Sequence, residues 1–311
     1  LALYNPNIDW LEKLLDSVNR QTYKNIFLYA IDDCSDKISL DLLKNIFKNK
    51  LVNINWNLKR NKFNMGSNKT FELLTDEADG DYFAYCDQDD IWACKKIEKL
   101  VDIIKNSNSV LVYSDMSVID EKDNKIAKGI SDIEKGRKFK KGFKLYSELI
   151  LGNFITGCTM LIRSDIAKSA VPFAKNLFHD HWLAIFSAYN GYIDYTKEKL
   201  VLYRIHGNNQ SRFFDKIHSK KDYFKYMILK EDEKYKELES RLACFNDLTA
   251  QLKNMRLWAD ARRRYFNKHK YKDLRIIFKF RNFGVKVSLF EIVLPFVPNI
   301  FFNLIMNLKR K

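Results

Sequence analysis

A continuous apolar run that stops abruptly in acid constrains this chain more than any other feature. Residues Ile26 to Ile31 carry no charge, and Asp32-Asp33-Cys34-Ser35-Asp36 follows at once. An uninterrupted apolar strand is buried on both faces, as in the interior of a parallel sheet. Helical spacing surrounds it. Asp9 is placed to cap a helix bearing Trp10, Leu11, Leu14, Leu15 and Val18, and Leu40, Leu43, Ile46 and Phe47 share the face of a second. Val52 to Trp56 reads as a short strand, and Asn64-Met65-Gly66-Ser67-Asn68 opens a helix carrying Phe71 and Leu74. Tyr82 to Cys86 is a strand that again ends in acid, at Asp87-Gln88-Asp89-Asp90. A helix with Ile97, Leu100, Val101 and Ile104 is expected from Asp90 or Ile91, then a strand over Val110 to Tyr113. This β-α-β-α order predicts an α/β fold, a mostly parallel, Rossmann-like sheet flanked by helices. Ligands of such sheets bind at the carboxyl ends of the strands, where both acidic clusters fall.

Lys122 to Lys144 is polar, basic and aperiodic, and reads as a mobile connection. Strands are expected over Phe154 to Arg163 and Leu200 to Tyr203, with a helix over His179 to Tyr189 between them; from about Asp215 the pattern is helical. The expected division is a catalytic domain over 1–211 and a helical, basic region over 212–311. Within the first, residues up to about 115 would form one half and 116–211 the other. With 311 residues, 46% hydrophobic and 30% charged, the chain suits one large domain plus an appendage. Its five cysteines are odd in number and form no C-x-x-C pair, which suggests a reducing compartment. No signal peptide is read at the start, and Leu1-Ala2-Leu3-Tyr4 resembles the end of a strand, so a trimmed beginning is expected. Charge is uneven. Residues 251–311 hold 15 Lys/Arg against 3 Asp/Glu, leaving only +3 of the net +15 for the first 250 residues. A basic tail suggests an anionic partner, lipid or nucleic acid.

Three carboxylates in Asp87-Gln88-Asp89-Asp90 repel one another unless a cation neutralises them. At a strand end they suit Mg²⁺ or Mn²⁺ shared with substrate phosphates, although a solvated turn capping the next helix has the same look. Asp32-Asp33 would face the same crevice, where one carboxylate could accept from the imide N–H of a pyrimidine base; a simple turn explains it equally. Asp180, in His179-Asp180-His181-Trp182 at a helix start, could be a general base, an N-cap, or part of a zinc site with His179, His181 and His206. His206-Gly207-Asn208-Asn209-Gln210 follows the last strand in a loop.

Taken in order, these segments resemble glycosyltransferase family 2, the inverting enzymes of the GT-A fold. The resemblance runs from Leu1 to about Ser211 through Leu3-Tyr4-Asn5, Gln21-Thr22-Tyr23-Lys24-Asn25, Asp32 to Asp36, Asn64-Met65-Gly66, Gly80-Asp81-Tyr82, Asp87 to Trp92, Thr156-Gly157-Cys158, His179 to Trp182 and Tyr203 to Gln210. The D-Q-D-D-I-W and H-G-N-N-Q forms look most like bacterial rhamnosyltransferases of cell-surface polysaccharide synthesis. The resemblance implies that Tyr4, Asn5, Asp32, Asp33, Asn64, Asn68 and Asp87 hold the donor nucleotide, with Asp33 on the base. It implies Asp87, Asp89 and His206 as contacts of Mn²⁺ or Mg²⁺, and Asp180 as the catalytic base. Trp92, Thr156, Gly157, His179, His181 and Trp182 would line the sugar or acceptor pocket. His179 stands where many relatives carry Glu, which leaves Asp180 the sole carboxylate of that segment.

The implied partners are a nucleotide sugar, dTDP-rhamnose or a UDP-sugar, and a lipid-linked saccharide acceptor. In the tail, Arg262-Arg263-Arg264 and the lysines after it interleave with aromatics, and Val285 to Leu308 is apolar but broken by Lys286, Glu291, Pro295 and Pro298. That reads as an interfacial segment on an anionic membrane, at the cytoplasmic face of the bacterial cell membrane. Packing on the catalytic domain, or a homo-oligomer contact, would also use it. A nucleic-acid-binding protein is the reading from another class, and the paired acidic strand ends argue against it.

Overall fold

The structure, a computed structural model, describes residues 1–134, 137, 139–207, 209, 216–243 and 245–310, the last two by their backbone alone. The described chain forms two compact units, 1–206 and 207–311. The boundary expected at Ser211, together with Asn208, Gln210 and Asp215, lies outside the described residues.

The first unit opens with β1 (Ala2–Leu3), α1 (Ile8–Asn19), β2 (Phe27–Asp32), α2 (Leu40–Lys50), β3 (Asn55–Arg60) and α3 (Ser67–Glu77). These strands make a parallel sheet in the order β1-β2-β3, so Leu3 pairs with Asp32 and Asp32 with Arg60. Then come β4 (Tyr82–Ala84), β5 (Ile91–Trp92), α4 (Lys96–Ser107), β6 (Leu111–Ile119), β7 (Lys125–Ala127), α5 (Tyr146–Leu149), β8 (Met160–Arg163), α6 (Ser164–Ser169), α7 (His179–Asn190) and β9 (Ile193–Arg204). They build a second sheet in the order β4-β8-β6-β9-β5, with β7 on β6. Here β6 and β9 run parallel and the remaining pairs antiparallel. Every residue of β6 is buried, the polar Ser114, Asp115 and Ser117 included, because the strand lies between β8 and β9. The α/β layering with flanking helices is therefore as expected, and the second sheet is mixed.

Local departures have local causes. Asn7, not Asp9, caps α1, its side chain accepting from Trp10 N at 3.2 Å; Asp9 sits in the first turn. The third strand starts at Asn55 because Val52 is 72% exposed and Leu58 carries the buried position. No helix starts at Asp90 or Ile91. Ile91 and Trp92 pair with Leu202 and Val201 of β9, and α4 begins at Lys96. The segment 122–144 holds β7 and a 3-10 turn, Ile130–Asp132. A second 3-10 turn, Gly157–Thr159, occupies most of the expected start of the strand that ends at Arg163. The last strand is twelve residues long; its middle, 197–199, is exposed and polar, which hid it from an apolar reading.

The second unit contains α8 (Lys220–Tyr223), a π-helical turn (Phe224–Leu229), α9 (Lys230–Arg241), α10 (Asn246–Lys268), α11 (Tyr271–Lys279), α12 (Val285–Val293) and α13 (Asn299–Arg310). Ile217, Tyr223, Ile228, Leu294, Phe302 and Met306 form one apolar cluster. Arg262 organises a second centre. Its guanidinium meets Glu291 bidentately at 2.6 and 2.7 Å, bonds Glu231, and lies 4.0 Å from the centroid of the Trp258 ring. All three consecutive arginines are ion-paired within this unit, Arg262 buried and the other two half-buried: Arg263 pairs with Asp232 and Asp260, and Arg264 with Asp260 and Asp273. Among the described residues, no helix is long and apolar enough to cross a membrane.

Gln21 locks the start of α4, which has no capping side chain of its own. Its Oε1 accepts from Ile97 N at 3.1 Å, and its Nε2 donates to Ser17 O and Ala93 O at 3.0 and 2.8 Å. Gln21→Leu leaves these buried groups unpaired, and is expected to lower the unfolding free energy by about 2–4 kcal/mol. Urea denaturation checks this; an unshifted midpoint contradicts it.

Candidate active site

The acidic clusters are brought to one edge, and they do different things. Asp32 is fully buried. Its oxygens take the Ser35 hydroxyl, Ser35 N at 3.1 Å and the Arg60 guanidinium at 2.5 Å. Asp33 is 3% exposed and closes the turn before α3: Asn61 Nδ2 and Met65 N donate to Oδ1 at 2.8 and 2.9 Å, and Gly66 N donates to Oδ2 at 2.7 Å. Gly66 holds φ at +82°, a left-handed value that glycine tolerates and that aims this N–H at the carboxylate. Asn64 Oδ1 braces the same N–H at 3.1 Å, and Asn68 Nδ2 donates to Ala174 O at 2.9 Å. Both aspartates therefore build the loop, which is the turn reading of the sequence. Tyr4 is 47% exposed, and Asn5 binds Asp36 and Lys37 N.

The second cluster is split between an inner and an outer half. Asp90 is fully buried and accepts from Arg204 N at 3.0 Å. Among the described residues its Oδ2 accepts no N–H or O–H bond; the Cys158 thiol, a weak donor, lies beside it. Burial and the charges of Asp89 and Asp87 push the Asp90 carboxyl well above its usual range. Lys96, also fully buried, stands beneath this half: Nζ donates to Cys158 O at 2.6 Å and sits 3.2 Å from the Trp92 ring centroid. Burial pulls its ammonium down to about 8, against the opposing pull of the nearby acids and thiols.

Asp87 and Asp89 form the outer half. Burial, then the charges of Asp89 and Asp180, raise Asp87 to about 7. Asp89 Oδ2 faces His206 Nε2 at 2.7 Å, and Trp10 packs 4.9 Å from that imidazole. Gln88 ties the turn to β1, donating to Tyr4 O at 3.1 Å and accepting from Tyr4 N at 2.8 Å. Arg204 holds it from behind. Its guanidinium, fully buried, donates to Asp89 O and Asp120 O at 2.8 and 2.9 Å and pairs with Asp123 at 2.6 Å.

Asp180 reaches the site from the first turn of α7. Gly157 N and His181 N donate to its two oxygens at 3.1 and 2.6 Å. Burial raises its carboxyl to about 6, while those two donors and the charge of Arg137 pull the other way. Arg137 Nη2 also donates to Thr156 Oγ1 at 2.7 Å, next to Gly157. A Cβ on Gly157 would stand 2.7 Å from His179 Nε2, so the close approach needs glycine.

Several residues assigned to a sugar or acceptor pocket are instead interior. Trp92 is 6% exposed in the main apolar core, and Trp182, 3% exposed, donates to Ala170 O at 2.8 Å. His179 is buried and stacked on Phe71 with centroids 3.9 Å apart, and burial lowers its pKa to about 3, which keeps it neutral. His181 Nε2 bonds Leu149 O at 2.5 Å. The histidines therefore serve separate contacts. Among the described residues, the group close enough to share an ion is Asp87, Asp90 and Cys158. Lys96, Arg204, Gln88 and Arg137 were not singled out from the sequence. Lys96 had a signal, since it falls four residues before Leu100 and eight before Ile104 on the apolar face of α4.

Removing the Arg204 guanidinium leaves the Asp89 and Asp120 carbonyls without this donor and Asp123 with Lys13 alone. Arg204→Met is expected to destabilise the 1–206 unit by about 2–4 kcal/mol in urea denaturation; a wild-type midpoint contradicts the bracing role.

The glycosyl transferase family 2 model matches residues 1–169. An uncharacterized glycosyltransferase of Haemophilus influenzae is 28% identical over 231 residues, 69% of this chain and 67% of that protein. One of Rickettsia prowazekii is 26% identical over 212 residues, 66% of this chain and 63% of its own length. The dTDP-rhamnosyl transferase RfbG of Shigella flexneri is 28% identical over 228 residues, covering 68% and 73%. The chain thus spans about two thirds of these relatives. S. aureus TarS 1-349 in complex with UDP-GlcNAc superposes with a TM-score of 0.56 at 15% identity, over 91% of this chain and 80% of that one. Against the longer TarS chain the coverage is 48%. With the layering described above, these likenesses fix the fold as the GT-A kind, and the chain belongs to glycosyltransferase family 2.

Proposed function

We propose that the chain transfers a sugar from a nucleoside-diphosphate donor to an acceptor hydroxyl with inversion, Asp180 being the base. The observation that carries this is the environment of Asp180. It is a buried carboxylate at a helix start, held by two backbone N–H groups, close enough to Asp87 of the strand-end acidic run to raise that carboxyl.

The outer half suits a divalent cation. Burial, and then the charges of Asp89 and Asp180, push Asp87 up even with Lys96 pulling the other way, and the oxygen donors of Asp87 and Asp89 match Mg²⁺ or Mn²⁺. His206 would complete or orient that set. Cys158 is a poor candidate, because burial keeps its thiol protonated. A bound Mn²⁺ or Mg²⁺ supplies stabilisation of the charge that grows on the departing diphosphate. Tyr4, with its exposed ring, and the turn closed by Asp33 form the nucleoside side, with Asp32 as the support of that turn. Gly157 N and His181 N aim the Asp180 carboxylate, which takes the proton of the attacking hydroxyl. One in-line displacement then inverts the anomeric carbon, so a single protein carboxylate suffices, unlike the pair in glycosidases.

L-Rhamnose from dTDP-rhamnose is the first donor to test, because the RfbG relative of Shigella flexneri carries that activity in its name. A UDP-sugar is the second, on the fold shared with TarS, solved with UDP-GlcNAc. The acceptor reading is a lipid-linked saccharide of a bacterial surface polysaccharide, at the inner face of the cell membrane.

Release of nucleoside diphosphate from a donor panel with Mn²⁺ tests this. Asp180→Asn is expected to lower kcat by ~10²–10⁴-fold with donor binding retained. A base with a pKa of about 6 must be ionised, so turnover should hold above pH 7 and fall about tenfold per unit well below pH 6. Consumption of none of the donors, or undiminished kcat in Asp180→Asn, contradicts the reading.

A further inference from the structure

The 207–311 unit turns a periodic apolar face to solvent. On α12, Val285, Leu289 and Val293 follow one another at four-residue spacing and are 47, 50 and 56% exposed. On α13, Ile300, Leu304 and Leu308 repeat the spacing at 81, 58 and 67%. The other sides of both helices are buried through Ser288 and Glu291, and through Phe302 and Met306. Single exposed apolar residues are ordinary, whereas a periodic set on consecutive helices calls for a partner.

The charge around this face identifies the partner. All three acids of residues 251–311 are spent internally: Asp260 pairs with Arg263 and Arg264, Asp273 with Arg264, and Glu291 with Arg262. Lys272, Arg275, Lys279 and Lys286 remain exposed on α11 and at the start of α12. Exposed apolar stripes together with exposed cations that form no ion pair among the described residues complement a surface of acyl chains and anionic headgroups. The helices, at nine and twelve residues, reach only ~14 and ~18 Å against a hydrocarbon core of ~30 Å, so they lie on a bilayer and do not cross it. A second copy fits less well, because a two-fold contact would set these cations against their own kind.

We propose that α11 to α13 seat this unit on an anionic lipid bilayer, with the apolar faces of α12 and α13 at the headgroup–acyl boundary and the cations of α11 on the headgroups. This stands independently of the sugar-transfer reading and is measured without any donor. In flotation of the full chain, the protein should rise with vesicles of equal parts phosphatidylcholine and phosphatidylglycerol at low salt. It should stay down with phosphatidylcholine alone. The triple change Lys272→Gln, Lys279→Gln and Lys286→Gln should weaken partitioning about fivefold per lysine. Leu289→Asp with Ile300→Asp and Leu304→Asp should abolish flotation while the circular dichroism melting curve stays that of the parent, since all three side chains are exposed. The proposal is overturned if the parent fails to float with anionic vesicles, or if both variants float as it does. A dimer that the aspartate variant dissociates, with no flotation by the parent, overturns it in favour of a second copy.

Discussion

The catalytic unit depends on how it disposes of repelling carboxylates at the end of one strand. Each buried carboxylate costs several kcal/mol in lost hydration, and each neighbour of like charge adds to that. The fold answers in part from within. Lys96 lies under Asp90 and Cys158, and Arg204 gives its backbone N–H to Asp90 and its guanidinium to the carbonyl of Asp89. On the outer side Asp89 has His206 at 2.7 Å, while burial and the charges of Asp89 and Asp180 raise Asp87 to about 7 against the pull of Lys96. That outer side is where a cation from solution is proposed to sit.

Asp180, the proposed base, is held by a similar balance. Burial alone would raise Asp180 further. Two backbone donors and the N-terminal end of α7 favour its ionised form, and the result is a carboxyl near 6. Such a group is ionised at neutral pH and still basic enough to take a proton. Gly157 is required by both sides of the arrangement, since its N–H reaches Asp180 and its missing Cβ admits the ring of His179.

Much of this was legible in residue order. The apolar run at Ile26 to Ile31 and its acidic end predict β2 and the loop after it; burial on both faces does not hold, since Phe27 is 46% exposed and Tyr29 half-buried, on the face opposite Leu28 and Ala30. The amphipathic faces of α1 and α2 were equally plain. The second sheet was not, for reasons of tertiary context. β5 has two residues and exists only because β9 lies beside it, and the polar middle of β9 hides a long strand. The resemblance implied Trp92 and Trp182 as pocket walls; packing decides instead, and both are interior. Asp32 and Asp33 looked like ligand groups, yet local backbone and Arg60 claim their oxygens. The basic tail was legible as charge, but only coordinates separate the arginines that hold the second unit together from the lysines that face solvent.

The central claim is that the outer half of the acidic run holds a nucleotide diphosphate through a divalent cation. Isothermal titration of dTDP and of UDP into the full chain, with Mn²⁺ and with EDTA, tests it most directly. Binding of at least one nucleotide should require Mn²⁺ and disappear in Asp89→Asn, whose fold is checked by its melting curve. Binding that is indifferent to Mn²⁺ and to Asp89→Asn, or no binding of either nucleotide, would contradict it.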